Sequence, residues 1–226
     1  THFCTMGAIS DALNMDSKGR LGAWFIAIGI AIIGTQTLEM MGYVDLDQSI
    51  YLTPRFNWLS YVLGGLCFGV GMTMAAGCGQ RNLVRIGGGN LKALVVIIVL
   101  GITAYMTMRG LLAPIRIDYI NQVGIDLTAH NLNDQSLVTV IAHTFGKEAG
   151  TVLRLVLMLV VGGGFIVYAL RQREFRSSYD NVVSGVVIGG CVVAAWFVSG
   201  YLGRDDFDPV MPQGLNFVGP AGETVS

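Results

Sequence analysis

Charge is what this sequence has least of. Only 13% of its 226 residues are Asp, Glu, Lys or Arg, and the net charge is −1. A soluble domain of this length carries about a quarter charged residues. The balance offers no basic surface for nucleic acid. Cysteine is scarce too. Cys4, Cys67, Cys78 and Cys191 form no CxxC pair and no zinc spacing, and three of them sit in or beside apolar blocks. That excludes a disulfide framework and a structural zinc site, and leaves each cysteine as a small packing residue by default. No GxxxxGK[ST] run is present, so a phosphate cradle is the less apt reading of its glycine-rich stretch. Nothing calls for a cofactor or a metal. No signal-peptide pattern follows Thr1, and the residues before Ser226 open what reads as a new segment. The expectation is a chain cut at both ends from a longer protein.

Hydrophobic residues are abundant, at 53%, with 31 glycines, five prolines and a mean hydropathy of +0.60. Their arrangement matters more than their number. Five blocks are long enough to cross a bilayer: Leu21–Met41, Trp58–Ala76, Leu91–Leu112, Val152–Leu170 and Val182–Leu202. A hydrocarbon core of ~30 Å needs about 20 residues at a helical rise of ~1.5 Å each. Trp24, Tyr43, Trp58, Tyr61, Tyr168 and Tyr201 fall near block ends, as an interfacial aromatic belt requires. Glycine suits such helices because it lets backbones approach closely. The expected fold is an all-α integral membrane protein, with residues 1–226 as one membrane domain.

Basic residues orient the blocks. Residues 1–20, 77–92 and 171–181 hold Lys18, Arg20, Arg81, Arg85, Lys92, Arg171, Arg173 and Arg176, which is eight of the 14 basic residues, against Asp11, Asp16, Glu174 and Asp180, four of the 15 acids. The positive-inside rule puts this side in the cytoplasm. Residues 42–57, the loop 113–151 and the tail 203–226 then face outward. Within the loop, Leu137, Val140, Ile141 and Phe145 recur at helical spacing, so Asn133–Phe145 reads as a short helix on the membrane surface. His130 and His143 in this loop read as solvated residues.

Three segments break the spanning pattern. Thr1–Ser10 is apolar but too short to cross, Gly69–Gly89 begins as helix and dissolves into glycine, and Phe217–Ser226 opens something similar. Irregular backbone at membrane depth survives only inside protein or beside a water-lined cavity. Short, glycine-interrupted apolar segments point to a transporter's substrate site.

The second segment carries the chemistry. Gly77 and Gly79 flank Cys78, followed by Gln80, Arg81 and Asn82. Glycine permits positive φ and close approach of a ligand. Successive amide N–H groups in such a turn form an anion-binding concavity, and a helix starting there aims its positive end at the same point. A thiol adds a soft, weak hydrogen-bond donor. Together they suit a small sulfur-containing anion.

GMTMAAGCGQRNLVRIGGGNLKALVV, with THFCTMGAISD at the start, resembles the YeeE/YedE sulfur-transport family. The resemblance runs through essentially the whole chain. It implies two similar halves of membrane helices with short re-entrant helices, importing thiosulfate or a related anion past cysteines at narrow points. It places Cys4 on the cysteine of the FC-x-MGA motif and Cys78 on that of the GC motif. It also implies a second GC-x-x-G copy beyond Ser226, so that residues 1–226 hold the first repeat and the start of the second, within an inner membrane. A TusA-like sulfur carrier is the implied cytoplasmic receiver.

The expected substrate and relay residues are therefore Cys4, Cys78, Gly77, Gly79, Gln80, Arg81 and Asn82. Cys67 and Cys191, inside uninterrupted helices, read as packing residues. Arg81 and Arg85 serve equally as anion partners or cytoplasmic anchors. Gln36 and Glu39 lie within six residues of a block end, where snorkelling to the interface explains them. Asn82 and Asn90 fit helix caps. Two other readings compete with transport. One is an intramembrane sulfurtransferase that loads sulfur on Cys78 as a persulfide. The other is a membrane subunit with no substrate of its own.

Overall fold

The computed structural model describes residues 3–46, 49, 51–127, 135–144, 151–203 and 214–215. Among these the helices are α1 (Thr5–Asn14), α2 (Gly19–Met40), α3 (Trp58–Met74), α4 (Gly79–Gly87), α5 (Leu91–Met108), α6 (Ala113–Ile115), α7 (Leu137–Thr144), α8 (Thr151–Arg171), α9 (Arg173–Ser177) and α10 (Tyr179–Phe197). Wide π-helical turns extend α6 through Arg116–Ile120 and α10 through Val198–Leu202. Strands β1 (Arg55–Phe56) and β2 (Ile125–Asp126) pair as a two-stranded ribbon.

Among the described residues, five segments are long and apolar enough to cross a membrane: Gly19–Met40, Trp58–Gly87, Leu91–Met108, Thr151–Arg171 and Tyr179–Leu202. They match the five expected blocks within a few residues, except that the second contains two helices. The expected dissolution of Gly69–Gly89 into glycine is corrected. Helix α3 continues to Met74, a four-residue break follows, and α4 is regular from Gly79. In the N-terminal segment expected to be too short to cross, α1 starts at Thr5 and runs to Asn14. The loop helix of 133–145 is α7, whose first turn is capped by the Ser136 hydroxyl accepting from the Thr139 amide at 3.1 Å. His130, the His143 side chain and Phe217–Ser226 lie outside the described residues.

The chain divides into two compact units, one mainly of residues 8–55 and 126–215, the other of residues 4–7 and 56–125. In the first, α2 is sandwiched between α8 and α10. Small residues decide the contact. A Cβ on Gly29 would lie 2.8 Å from the Gly162 carbonyl oxygen on α8. One on Gly185 would lie 2.8 Å from Ala23 O, and one on Gly189 would lie 2.9 Å from Ala27 O. Gly185 and Gly189 form the G-x-x-x-G face that lets α10 approach α2 to backbone contact, which replaces the missing hydrophobic drive between helices in lipid. Phe175, fully buried on α9, plugs one end against Ala23, Ile26 and Ala169.

Polar ties fix both ends of this unit. At one end the Glu174 carboxylate accepts from the Lys18 amide at 2.7 Å and the Ser17 hydroxyl at 3.0 Å, covering the start of α2. The Lys18 amide, then the Ser17 hydroxyl, hold this exposed carboxyl below its usual range. Arg20 pairs with Asp11 at 3.2 Å. These contacts bring residues 11–20 and 171–181 to one end, consistent with the side assigned to them from charge. At the other end Glu39 of α2 pairs with Arg154 of α8, with the Glu39 side chain only 9% exposed. Snorkelling of Glu39 is therefore corrected: the carboxylate turns inward to a guanidinium on the neighbouring helix. Gln36 lines the adjoining cavity of about 220 Å³, with Thr35, Ser49, Ser136 and Trp196. An ion pair away from water holds its partners strongly, because removing either leaves an uncompensated charge.

In the second unit, α4 packs on α5 and α3 on the π-helical turn after α6. The Ser60 hydroxyl donates to Asn121 Oδ1 at 2.7 Å across the latter contact. Much of the apolar surface of α3 and α5 is open, including Leu66, Phe68, Val70, Val95 and Val99. That is the surface a bilayer or further protein covers.

Candidate functional site

The break between α3 and α4 is built by a chain reversal at the end of α3. The Ala76 amide bonds to Thr73 O at 3.3 Å and the Gly77 amide to Met72 O at 3.0 Å. This is the Schellman pattern, which needs a left-handed residue at its turning point. Ala76 occupies that position at φ +53°. Gly77 follows at φ +147°, a region closed to side chains, and a Cβ there would meet Arg81 Cδ at 2.7 Å. Cys78 then adopts extended geometry as the N-cap of α4, and its side chain makes no bond to the first-turn amides. Those amides keep their positive end turned toward whatever sits at the cap.

The carbonyl groups of the break are satisfied from α4. Asn82, 1% exposed, donates from Nδ2 to the carbonyls of Ala75 at 3.4 Å, Gly77 at 3.4 Å and Cys78 at 3.3 Å. Arg85 Nη1 donates to Ala76 O at 3.2 Å. The oxygens of the break are therefore tied to α4, while the first-turn amides of α4 carry no side-chain cap, an arrangement whose sign favours an anion at the cap.

Cys4 immediately precedes α1 and is packed in this same unit. Its sulfur accepts from the Gly7 amide in the first turn of α1, and also from the Cys78 amide, the Cys78 thiol and the Arg81 side chain. The Cys4 sulfur thus has beside it the amide of the first α1 turn, the Cys78 amide and thiol at the start of α4, and one guanidinium. Burial pushes the Cys4 thiol up. The Gly7 and Cys78 amides, the Cys78 S–H and Arg81 together outweigh that and hold it below its ordinary value. Both cysteines are buried, at 4% and 8% exposure.

The predicted site residues sort clearly. Cys4, Cys78 and Arg81 come together, and Gly77 and Gly79 are buried in the turn that presents them. Gln80 is exposed on α4. Asn82 faces the carbonyls of the break, so it is not a helix cap, whereas Asn90 caps α5 by accepting from the Lys92 and Ala93 amides at 3.0 and 3.4 Å. Arg85 serves the turn as well. The Gly7 amide is a site group that no sequence signal marks. Cys67 and Cys191 are exposed on α3 and α10, so within the described residues neither is packed as expected.

These features define a multi-pass α-helical membrane protein with one spanning segment broken at a thiol-bearing turn. The chain belongs to the family described as sulphur transport, which matches residues 1–226. It is similar to the thiosulfate transporter TsuA of Escherichia coli strain K12, 23% identical over 219 residues, covering 89% of this chain and 57% of that protein. It is also similar to the thiosulfate transporter TsuA of Spirochaeta thermophila, 34% identical over 79 residues, covering 34% of this chain and 24% of that protein. The chain thus spans little more than half the length of the first of these relatives.

Proposed function

We propose that this chain forms part of an inner-membrane importer for thiosulfate or a closely related sulfur anion, and that Cys4 and Cys78 form one constriction of its path. The observation that carries this is the Cys4 sulfur accepting from the first α1 turn, from Cys78 at the start of α4 and from Arg81. A dianion leaving water needs replacement donors at low cost in reorganisation. Amides at the start of α1 and α4 and the Arg81 guanidinium supply them for the oxygens. Thiol S–H groups, weak donors, suit the terminal sulfur. Weak, multiple contacts let the ion leave as readily as it arrives. Two thiols at one constriction that hold the anion by hydrogen bonds pass it on without bond formation, so the protein acts as a carrier and not as an enzyme. The similarity to thiosulfate transporters supports the choice of substrate. Release to a TusA-like carrier protein on the cytoplasmic side extends the same reading.

Thiosulfate should protect Cys78 of the full-length protein from slow alkylation, and the protein's mass should be unchanged after turnover. The depressed Cys4 thiol favours one second reading, sulfur transfer. In that chemistry the Cys4 thiolate attacks the sulfane sulfur, the S–S bond of thiosulfate breaks, and sulfite leaves from a cysteine persulfide. A stable added sulfur that uptake requires would favour transfer over carriage.

The proposed orientation puts residues 171–181 in the cytoplasm and residues 113–151 outside. A cysteine replacing Gln135 should react with an impermeant maleimide in intact cells, and one replacing exposed Arg176 should not. The reverse pattern overturns the orientation.

A further inference from the structure

The cavity of about 220 Å³ at the Glu39 end of α2 shares no residue with the cysteine site. Its lining belongs wholly to the unit of residues 8–55 and 126–215. We propose that this cavity is a second anion site, on the outward side, and that Glu39 takes up one proton from the outer water when thiosulfate binds there. The choice of anion and of side rests on the importer reading; the cavity and its unspent polar groups do not.

Buried polar groups are nearly always hydrogen-bonded, so several unspent ones around one cavity mark a place for a polar ligand. Ser49 is 7% exposed, and among the described residues its hydroxyl has no partner. The Thr35 hydroxyl and the Gln36 amide have none there either. Thr37 shows the contrast, since its hydroxyl donates to the Ile33 carbonyl of its own helix at 2.7 Å. Arg154 gives one N–H to Glu39 Oε1. A guanidinium carries five N–H groups, and among the described residues the others of Arg154 bond nothing.

The charges select the class of ligand. Arg154 is the more open member of the pair, with 32% of its side chain exposed against 9% for Glu39. Its planar fork matches the oxygens of a small oxyanion, and the hydroxyls and the Gln36 amide add neutral donors. The obstacle is Glu39, whose carboxylate leaves the pair neutral and repels a dianion. A proton removes the obstacle. It bonds to a carboxylate oxygen, the carboxylate becomes a carboxylic acid, and the guanidinium turns to the anion without stranding a buried charge. A proton bound with the anion also lowers the negative charge drawn toward the membrane, which favours inward movement against an inside-negative potential.

The other groups around Glu39 are few. The loop after α2 brings Tyr51 to the cavity, while Asp45 of that loop is exposed and does not line it. Arg154 is the charge that α8 supplies. α10 supplies Trp196, and Ser136 and Val138 come from the start of α7, and none of these three ionises near neutral pH. α7 also carries His143, whose side chain lies outside the described residues, so the test includes it.

The experiment is calorimetry of thiosulfate binding to the detergent-solubilised full-length protein with Cys4→Ala and Cys78→Ala, which removes the thiols as ligands. Heats in two buffers of different ionisation enthalpy count the protons. About one proton should enter per thiosulfate, and affinity should rise up to about tenfold per unit fall in pH, because binding and protonation are linked reciprocally. The wild-type protein should show the same proton in addition to binding at the thiols. Glu39→Gln should bind without a proton and without pH dependence, and His143→Gln should still take the proton up. Arg154→Gln alone strands the Glu39 carboxylate and endangers the fold. The paired Glu39→Gln, Arg154→Gln protein avoids this and should bind at least ~10-fold more weakly, for want of the charged donor. Absence of a binding heat, a proton count of zero, a proton that persists in Glu39→Gln or vanishes in His143→Gln, or undiminished affinity in the paired variant each overturns the proposal. Thiosulfate uptake by the wild-type protein in proteoliposomes keeps the two readings apart. Uptake without the proton-linked site removes the site and leaves the importer. The proton-linked site without uptake leaves the site and removes the importer.

Discussion

Replacing Cys78 or Cys4 with alanine in the full-length protein should abolish or strongly reduce thiosulfate-dependent growth, whereas Cys67→Ala and Cys191→Ala should leave it near normal. The two groups differ in where the sulfur stands. Cys78 caps α4 beside unbonded amides, and Cys4 accepts bonds from Gly7, Cys78 and Arg81. Alanine at either removes a donor to a charged ligand, worth ~1.5–3 kcal/mol, or roughly 10- to 100-fold in the stability of the bound anion. Cys4→Ala has a further effect, since it leaves the Gly7 amide without its partner at the start of α1. Cys67 and Cys191 are exposed on their helices, so each substitution removes one sulfur from an apolar surface and nothing from the site. Growth on thiosulfate as sole sulfur source, with protein levels measured in parallel, decides the matter. Equal behaviour of all four variants would remove the basis for the relay.

What could be read from the sequence follows the range over which each signal acts. Spanning helices are written in runs of about 20 apolar residues, so five of them were legible at once, with boundaries off by a few residues where aromatic and polar ends grade into each other. The break at Gly77–Cys78–Gly79 was legible because glycine on both sides of a thiol has a local meaning. Its exact start was not, since the left-handed stop falls on Ala76, a residue that gives no such signal. Partners far apart in sequence were also hidden. Glu39 and Arg154 are 115 residues apart, and either alone looks like an interfacial charge. Cys4 and Cys78 carried no mutual sign. Only the resemblance to a family joined them in one function, and the fold then joined them in space.

Asn82→Asp should disable the site, while Asn90→Ala, which looks equivalent in sequence, should leave uptake largely intact. Asn90 accepts two amides at the start of α5, and losing that cap costs about 0.5–2 kcal/mol of helix stability with no effect on the cysteine turn. Asn82 is different because it is the donor that three carbonyls of the break share. Aspartate keeps its size but turns the donor into an acceptor, so oxygens face the Ala75, Gly77 and Cys78 carbonyls with nothing between them. Each polar group left unpaired in a buried setting costs about 1–3 kcal/mol, and the added charge costs more. The turn relieves this by opening, which swings Cys78 away from Cys4 and lets Arg81 leave its place over Gly77. Gly77→Ala should give the same phenotype by another route, since φ +147° excludes a side chain and the new methyl would lie 2.7 Å from Arg81 Cδ. Uptake should fall by an order of magnitude or more in both variants, as about 1.4 kcal/mol at the site already amounts to tenfold. The measurement that separates a lost turn from a lost protein is protection. In both variants alkylation of Cys78 should become faster and insensitive to thiosulfate while membrane insertion, read from protein level, stays normal. Normal uptake by Asn82→Asp would mean that the carbonyls of the break do not depend on this side chain, and that the anion-facing turn is held by something other than α4.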